Sequence, residues 1–205
     1  MKLRKLGAYT AFLNGIMVIV GIFYSHYGMH SIDNVSVNEF EYFFKNDFAN
    51  YFKVLNLFEI FRSSCELIIF VVLFQFLDKR ESLKPSIGFI FAVVSIIFKI
   101  ISTCVSLLAI QLETQSNILE TSENPYTAAV RLYGFYSMLL NSLCFLFFFI
   151  YALKNKNFPK ALSYFGIALG IFSLIPIPYA YLLISVLWSF GIGKFFLFSS
   201  ILKKT

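Results

Sequence analysis

Charge is scarce in this chain. Only 14% of its 205 residues are Asp, Glu, Lys or Arg, where a soluble domain carries roughly a quarter. Histidine is nearly absent. His26 and His30 stand four apart with Gly28 between them and no third ligand, so they do not compose a metal site. A membrane haem usually needs histidines at depth, which these are not, and a multi-histidine di-iron centre needs many more than two. The three cysteines, Cys65, Cys104 and Cys144, each lie inside an apolar run. None lies in a loop, so no disulfide framework is indicated, and all three read as buried structural thiols. No Gly-x-Ser-x-Gly, no nucleotide-binding loop and no acidic metal cluster occurs. Those absences exclude the enzyme classes that announce themselves by motif and point to no cofactor. Acid–base work by Glu59 or Glu66 is the one catalytic role left open. No internal repeat can be aligned.

What is present is lipid-soluble surface. Apolar residues make up 59% of the chain and aromatic residues 20%, with 27 Phe. A water-soluble protein of this size could not bury so many rings, so lipid must cover many of them. The formal net charge of +6 does not imply nucleic acid, because the basic residues sit in short clusters between apolar runs. That is the distribution of cytoplasmic loops in a membrane protein.

Six apolar runs can be marked: 6–27, 55–77, 86–112, 126–153, 161–175 and 179–202. A spanning helix needs about 20 residues, so five runs suffice and the fifth is short. Pro176 and Pro178 end that fifth run and turn the chain tightly into the last. The expected fold is therefore an all-α, polytopic bundle of six transmembrane helices in one domain. The first run follows Lys2, Arg4 and Lys5 but has no small-x-small cleavage site, and reads as a retained signal anchor. Lys79, Arg80 and Lys84, then Lys154, Lys156 and Lys160, then Lys203 and Lys204 form three more basic clusters. The intervening segments hold only Lys45 and Lys53, or no basic residue at all. The positive-inside rule puts both termini and the two basic loops in the cytoplasm. In the outer segment 28–54, Phe40, Phe44, Phe48, Tyr51 and Phe52 recur at helical spacing. This periodicity predicts a short amphipathic helix over 38–53, lying in the outer interface as a cap over the bundle.

Ionisable side chains inside a membrane cost about 2.5–3.5 kcal/mol each on insertion scales and usually face a bundle interior or a cavity. The second run offers Asn56, Glu59, Arg62, Ser63 and Glu66 on one face, with the apolar Phe70, Leu73 and Leu77 below them. The third offers Ser95, Lys99, Ser102, Thr103 and Ser106. The fourth offers Arg131, Gly134, Met138, Asn141 and Ser142, and the first Thr10, Asn14 and Ser25. Four polar stripes suggest a shared interior in the outer half of the bundle. Matching by depth pairs Glu66 with Lys99 and Glu59 with Arg131, with Arg62 able to brace either carboxylate. Lys194 is placed to snorkel to the cytoplasmic surface.

Two functions fit this pattern. In the first, Glu59, Arg62, Glu66, Lys99 and Arg131, with Ser102 and Asn141, line a polar cavity that binds or transports a small solute or a lipid headgroup. In the second, the charges only register helices in a non-catalytic accessory or scaffold subunit. Five ionisable groups exceed what registry needs, which favours the first. Gly166, Gly170, Ser185, Ser189 and Gly193 give the last two helices small-residue faces. Core packing is their first use, and self-association of protomers into a homo-oligomer their second.

The segment Phe158-Pro159-Lys160-Ala161-Leu162-Ser163-Tyr164-Phe165-Gly166 follows a helix ending in Tyr151-Ala152-Leu153. It resembles a stretch of an uncharacterised bacterial membrane family, domain of unknown function forty-three eighty-six. There an aromatic-rich helix leads into a Pro-basic-x-Leu-Gly pattern. The start Arg4-Lys5-Leu6-Gly7 is similar too, while Ser163 stands where that family tends to have Gly. The resemblance implies a compact six-helix bacterial protein and transfers no activity or site residue. A Lys-, Asn-, Ile- and Phe-rich composition fits an AT-rich bacterial genome, and so the cytoplasmic membrane.

Overall fold

The computed structural model describes residues 2–32, 47–77, 83–116, 125–175 and 178–199. Among them every regular element is an α-helix: α1 (Lys2–Ile32), α2 (Asp47–Leu77), α3 (Leu83–Ser116), α4 (Pro125–Lys154), α5 (Lys160–Phe172) and α6 (Pro178–Ser199). Each helix lies against its neighbours in the chain, and α1 closes against α6. The bundle is therefore a ring in chain order, the arrangement that short connections between antiparallel helices favour. Large apolar side chains such as Tyr9, Phe23, Phe61, Leu132, Tyr164 and Leu183 point outward, as expected where lipid is the solvent.

Four stretches are long and apolar enough to cross a membrane: Lys2–His26, Pro85–Gln111, Ala128–Lys154 and Ala180–Phe198. That is fewer than the six spans expected. Helix α5 has only 13 residues, about 20 Å at helix rise, and stops where Ser173, Leu174 and Ile175 turn toward α6. Helix α2 is long, but Lys53, Glu59, Arg62 and Glu66 interrupt its first two thirds. The amphipathic helix expected over 38–53 needs correction. Residues 38–46 lie outside the described residues, and from Asp47 onward the chain is already in α2, with no break at 53–55. Amphipathic spacing and spanning spacing share the same period, so their junction leaves no mark in the sequence.

Helix–helix contact in lipid depends on close packing and on small residues, not on a hydrophobic drive between helices. Gly166 of α5 lies against the ring of Phe149, leaving no room for a Cβ. Gly170 meets Leu146, and its carbonyl accepts a 2.6 Å hydrogen bond from Ser142 Oγ. Gly193 of α6 sits over Phe12 and the Ala8 carbonyl of α1. The small-residue faces of the last two helices are thus used within the chain, α5 on α4 and α6 on α1. The half of the bundle that holds the Leu77 end of α2 is filled with rings. Phe70 stacks on Phe148 at 5.6 Å, Trp188 meets Phe145 edge-on at 5.2 Å, and Phe158 meets Phe195 edge-on at 5.0 Å. Phe70, Leu73 and Leu77, the apolar continuation of the α2 stripe, are all buried in it.

Two further expectations are corrected. Cys65 and Cys144 are buried, but Cys104 is exposed. Asn14 does not join the interior of α2–α4. Its Nδ2 donates to Ser189 Oγ of α6 at 3.0 Å, and Thr10 is turned back on the Leu6 carbonyl of its own helix. Lys194 is exposed.

Candidate functional site

Glu59, Arg62 and Glu66 are spaced by three and four residues, which stacks them on one face of α2. Arg62 Nη2 donates to Glu59 Oε1 at 2.8 Å, and its Nε lies 3.8 Å from Glu66 Oε1. Lys99 enters from α3. Its Nζ is 2.6 Å from Glu59 Oε1 and 3.4 Å from Glu66 Oε2. The result is a closed four-membered circuit of alternating sign, formally neutral, in which each cation touches both carboxylates. Expected pairing of Glu66 with Lys99 is present. Expected pairing of Glu59 with Arg131 is not, because Lys99 occupies that carboxylate.

Arg131 is exposed and outside the circuit. By helix rise Glu59 stands about 27 Å from the Leu77 end of α2, while Arg131 stands about 35 Å from the Lys154 end of α4. Arg131 is therefore above the circuit, and the side chains that face inward at the right depth are Gly134, Ser137 and Asn141 one to three turns below it.

The circuit is not sealed by packing. It borders a cavity of about 490 Å3 lined by Glu59, Arg62, Lys99, Ser102, Thr103, Gly134, Ser137, Met138, Asn141, Phe172, Ser173, Ile175 and Tyr181. Five of the seven residues expected at the site, Glu59, Arg62, Lys99, Ser102 and Asn141, line it. Glu66 lies beneath, buried, bracing Lys99 and Arg62 from below. Phe172, Ser173, Ile175 and Tyr181 were not foreseen. They come from the end of α5 and the start of α6, where the short α5 brings a helix break into the charged half of the bundle. The proline pair that shortens α5 was the signal for this, since a turn inside a bundle must put its flanking side chains somewhere near the interior.

Polar side chains around the cavity also tie the helices together. Asn56 Nδ2 donates to Ser106 Oγ at 3.1 Å, joining α2 to α3. Ser95 Oγ donates to the Ser137 carbonyl at 2.8 Å and Ser102 Oγ to the Val130 carbonyl at 3.1 Å, joining α3 to α4. Thr103 donates to the Lys99 carbonyl of its own turn at 2.8 Å. These bonds leave the ammonium and guanidinium groups facing the cavity while holding the helices that carry them. Arg62 Nε is buried with no hydrogen-bond partner among the described residues.

No protein-family model, no curated protein and no solved structure matches this chain.

Proposed function

We propose that the chain is a multi-pass protein of a bacterial cytoplasmic membrane that binds or transports a small solute or a lipid headgroup in the cavity bordered by Glu59, Arg62 and Lys99. In this reading all six helices are membrane elements, both termini face the cytoplasm, and α5 with α6 forms a hairpin that stops short of the outer surface. The cavity then opens toward the outer leaflet, and the ring-filled half of the bundle closes it from the cytoplasm.

One observation carries the reading: three of the four charges, Glu59, Arg62 and Lys99, border open volume instead of being packed shut. Registry alone is served by a dry network, and leaving solvent-sized space beside buried charges adds nothing to helix alignment. A bound ligand with polar groups uses both the charges and the space.

The scaffold reading is favoured by a separate observation, the Asn56–Ser106 and Ser95–Ser137 bonds, which need no ligand to do their work. Native mass spectrometry of the detergent-purified protein separates the two. The expected result is a retained molecule, one per chain, that survives detergent exchange. A chain that flies bare from every mild detergent would remove the binding site and leave the scaffold.

A further inference from the structure

A second cavity, of about 370 Å3, lies on the other side of the same two charged residues. Glu59 and Arg62 line both cavities. The walls of the second are otherwise mostly apolar and come from three helices: Met17, Val18 and Ile22 of α1, Leu55 and Phe58 of α2, and Leu182 of α6. Phe23, another wall residue, is 60% exposed on the outward face. Gly21 lines this cavity too, and a Cβ built there meets nothing within 4 Å. The two cavities therefore adjoin at the Glu59–Arg62 pair, the first lined mostly by polar side chains and the second mostly by apolar ones, with Ser25 and His26 beside them.

Resting on the binding reading above, we infer that the ligand is a zwitterionic amphiphile, a molecule with an ammonium and a phosphate in its head and an acyl chain, and that the second cavity is the slot for that chain. The charge pattern selects the head. The circuit holds two cations and two carboxylates, so a ligand of one sign leaves a protein charge unbalanced in a poorly solvated site. A ligand of both signs replaces what it displaces. Its phosphate takes Lys99 Nζ and the Arg62 guanidinium, with the Tyr181 hydroxyl on the same wall. Its ammonium takes Glu59, while Glu66 stays beneath Arg62 and Lys99 and keeps them neutralised. The apolar slot selects the tail: it begins at the same Glu59 and Arg62 and gives a chain somewhere to lie without crossing the charges.

Binding of three probes to the delipidated full chain, read by native mass spectrometry, tests this. The probes are phosphatidylethanolamine, phosphatidylglycerol and water-soluble phosphoethanolamine. The expected result is retention of phosphatidylethanolamine over phosphatidylglycerol by about tenfold, with phosphoethanolamine bound more weakly still. Gly21→Leu, which extends into the slot from a position where a Cβ meets nothing within 4 Å, should lower phosphatidylethanolamine retention by roughly tenfold and leave phosphoethanolamine unchanged. Leu182→Phe narrows the same slot from α6 and serves if Gly21→Leu does not fold. Gly134→Leu, which narrows the charged cavity, should weaken both. Equal retention of phosphatidylglycerol overturns the zwitterion. Phosphoethanolamine bound as tightly as the lipid, or indifference to both slot variants, overturns the acyl slot and points to a free zwitterionic solute. A chain that holds none of the three probes but keeps another molecule sensitive to Glu59→Gln/Lys99→Met overturns this inference alone. A chain that holds nothing overturns the binding reading with it.

Discussion

Lys99 reaches Glu59 and Glu66 on the facing helix, and Arg62 reaches the same two from within its own helix. Because the circuit alternates in sign, exchanging Glu66 with Lys99 does not restore it. The exchange would set the new carboxylate against Glu59 and the new ammonium against Arg62. Removing one cation with one anion keeps it neutral, and that distinction gives the prediction at this scale. Lys99→Met alone leaves two carboxylates sharing one guanidinium and should cost about 3–5 kcal/mol, seen as a lowered melting temperature in detergent. Glu59→Gln/Lys99→Met leaves the Arg62–Glu66 pair intact and should return to within about 1 kcal/mol of the parent. Arg131→Ala, on an exposed side chain, should change stability by less than about 0.5 kcal/mol. Four of the five ionisable residues were legible in the sequence as one cluster, because helical spacing puts three of them on one face and the fourth is a lysine in mid-span. Arg131 was misplaced because depth was counted from run ends, and a run end is not a helix end: α4 carries Arg131 about a turn or two farther out than the circuit.

Helices α1, α3, α4 and α6 were readable because an apolar run of spanning length has one structural solution in a bilayer. What could not be read was where α2 begins. Residues 47–54 have the same period whether they lie in the interface or extend a spanning helix. Nor could the partner of each face be read. Asn14 looked like a fourth contributor to the interior, yet its partner Ser189 stands 175 residues away on α6, a pairing that only ring closure decides. Glycine positions test the packing of α5. Gly166→Ala places a methyl into the Phe149 ring and should destabilise by about 1–3 kcal/mol as overpacking. Gly21→Ala, on open space, should be close to neutral. Thermal unfolding of the two variants side by side checks this, and equal losses would mean that α5 does not rest on α4 as described.

Across the whole molecule, the aromatic half and the charged half have different jobs. Rings such as Phe70, Phe148, Phe149 and Trp188 fill one half of the ring of helices, and the circuit with its cavity occupies the other. The proposed orientation predicts that a Cys placed at Asn117 reacts with a membrane-impermeant maleimide in intact cells, and one at Lys79 only after lysis. The reverse pattern would turn the cavity toward the cytoplasm. The proposed sidedness rests on loop charge alone; the cavity came from packing, and was legible only as polar stripes that had to face something.

The central claim is that the charged circuit serves a ligand and does not merely hold helices. It is tested most directly by measuring ligand occupancy and thermal stability together in Glu59→Gln/Lys99→Met, by native mass spectrometry and detergent unfolding of the same preparation. The account predicts a variant that melts close to the parent but has lost its bound molecule, because neutral Gln and Met fill the space without offering charge to the ligand. A variant that keeps both stability and full occupancy would contradict it.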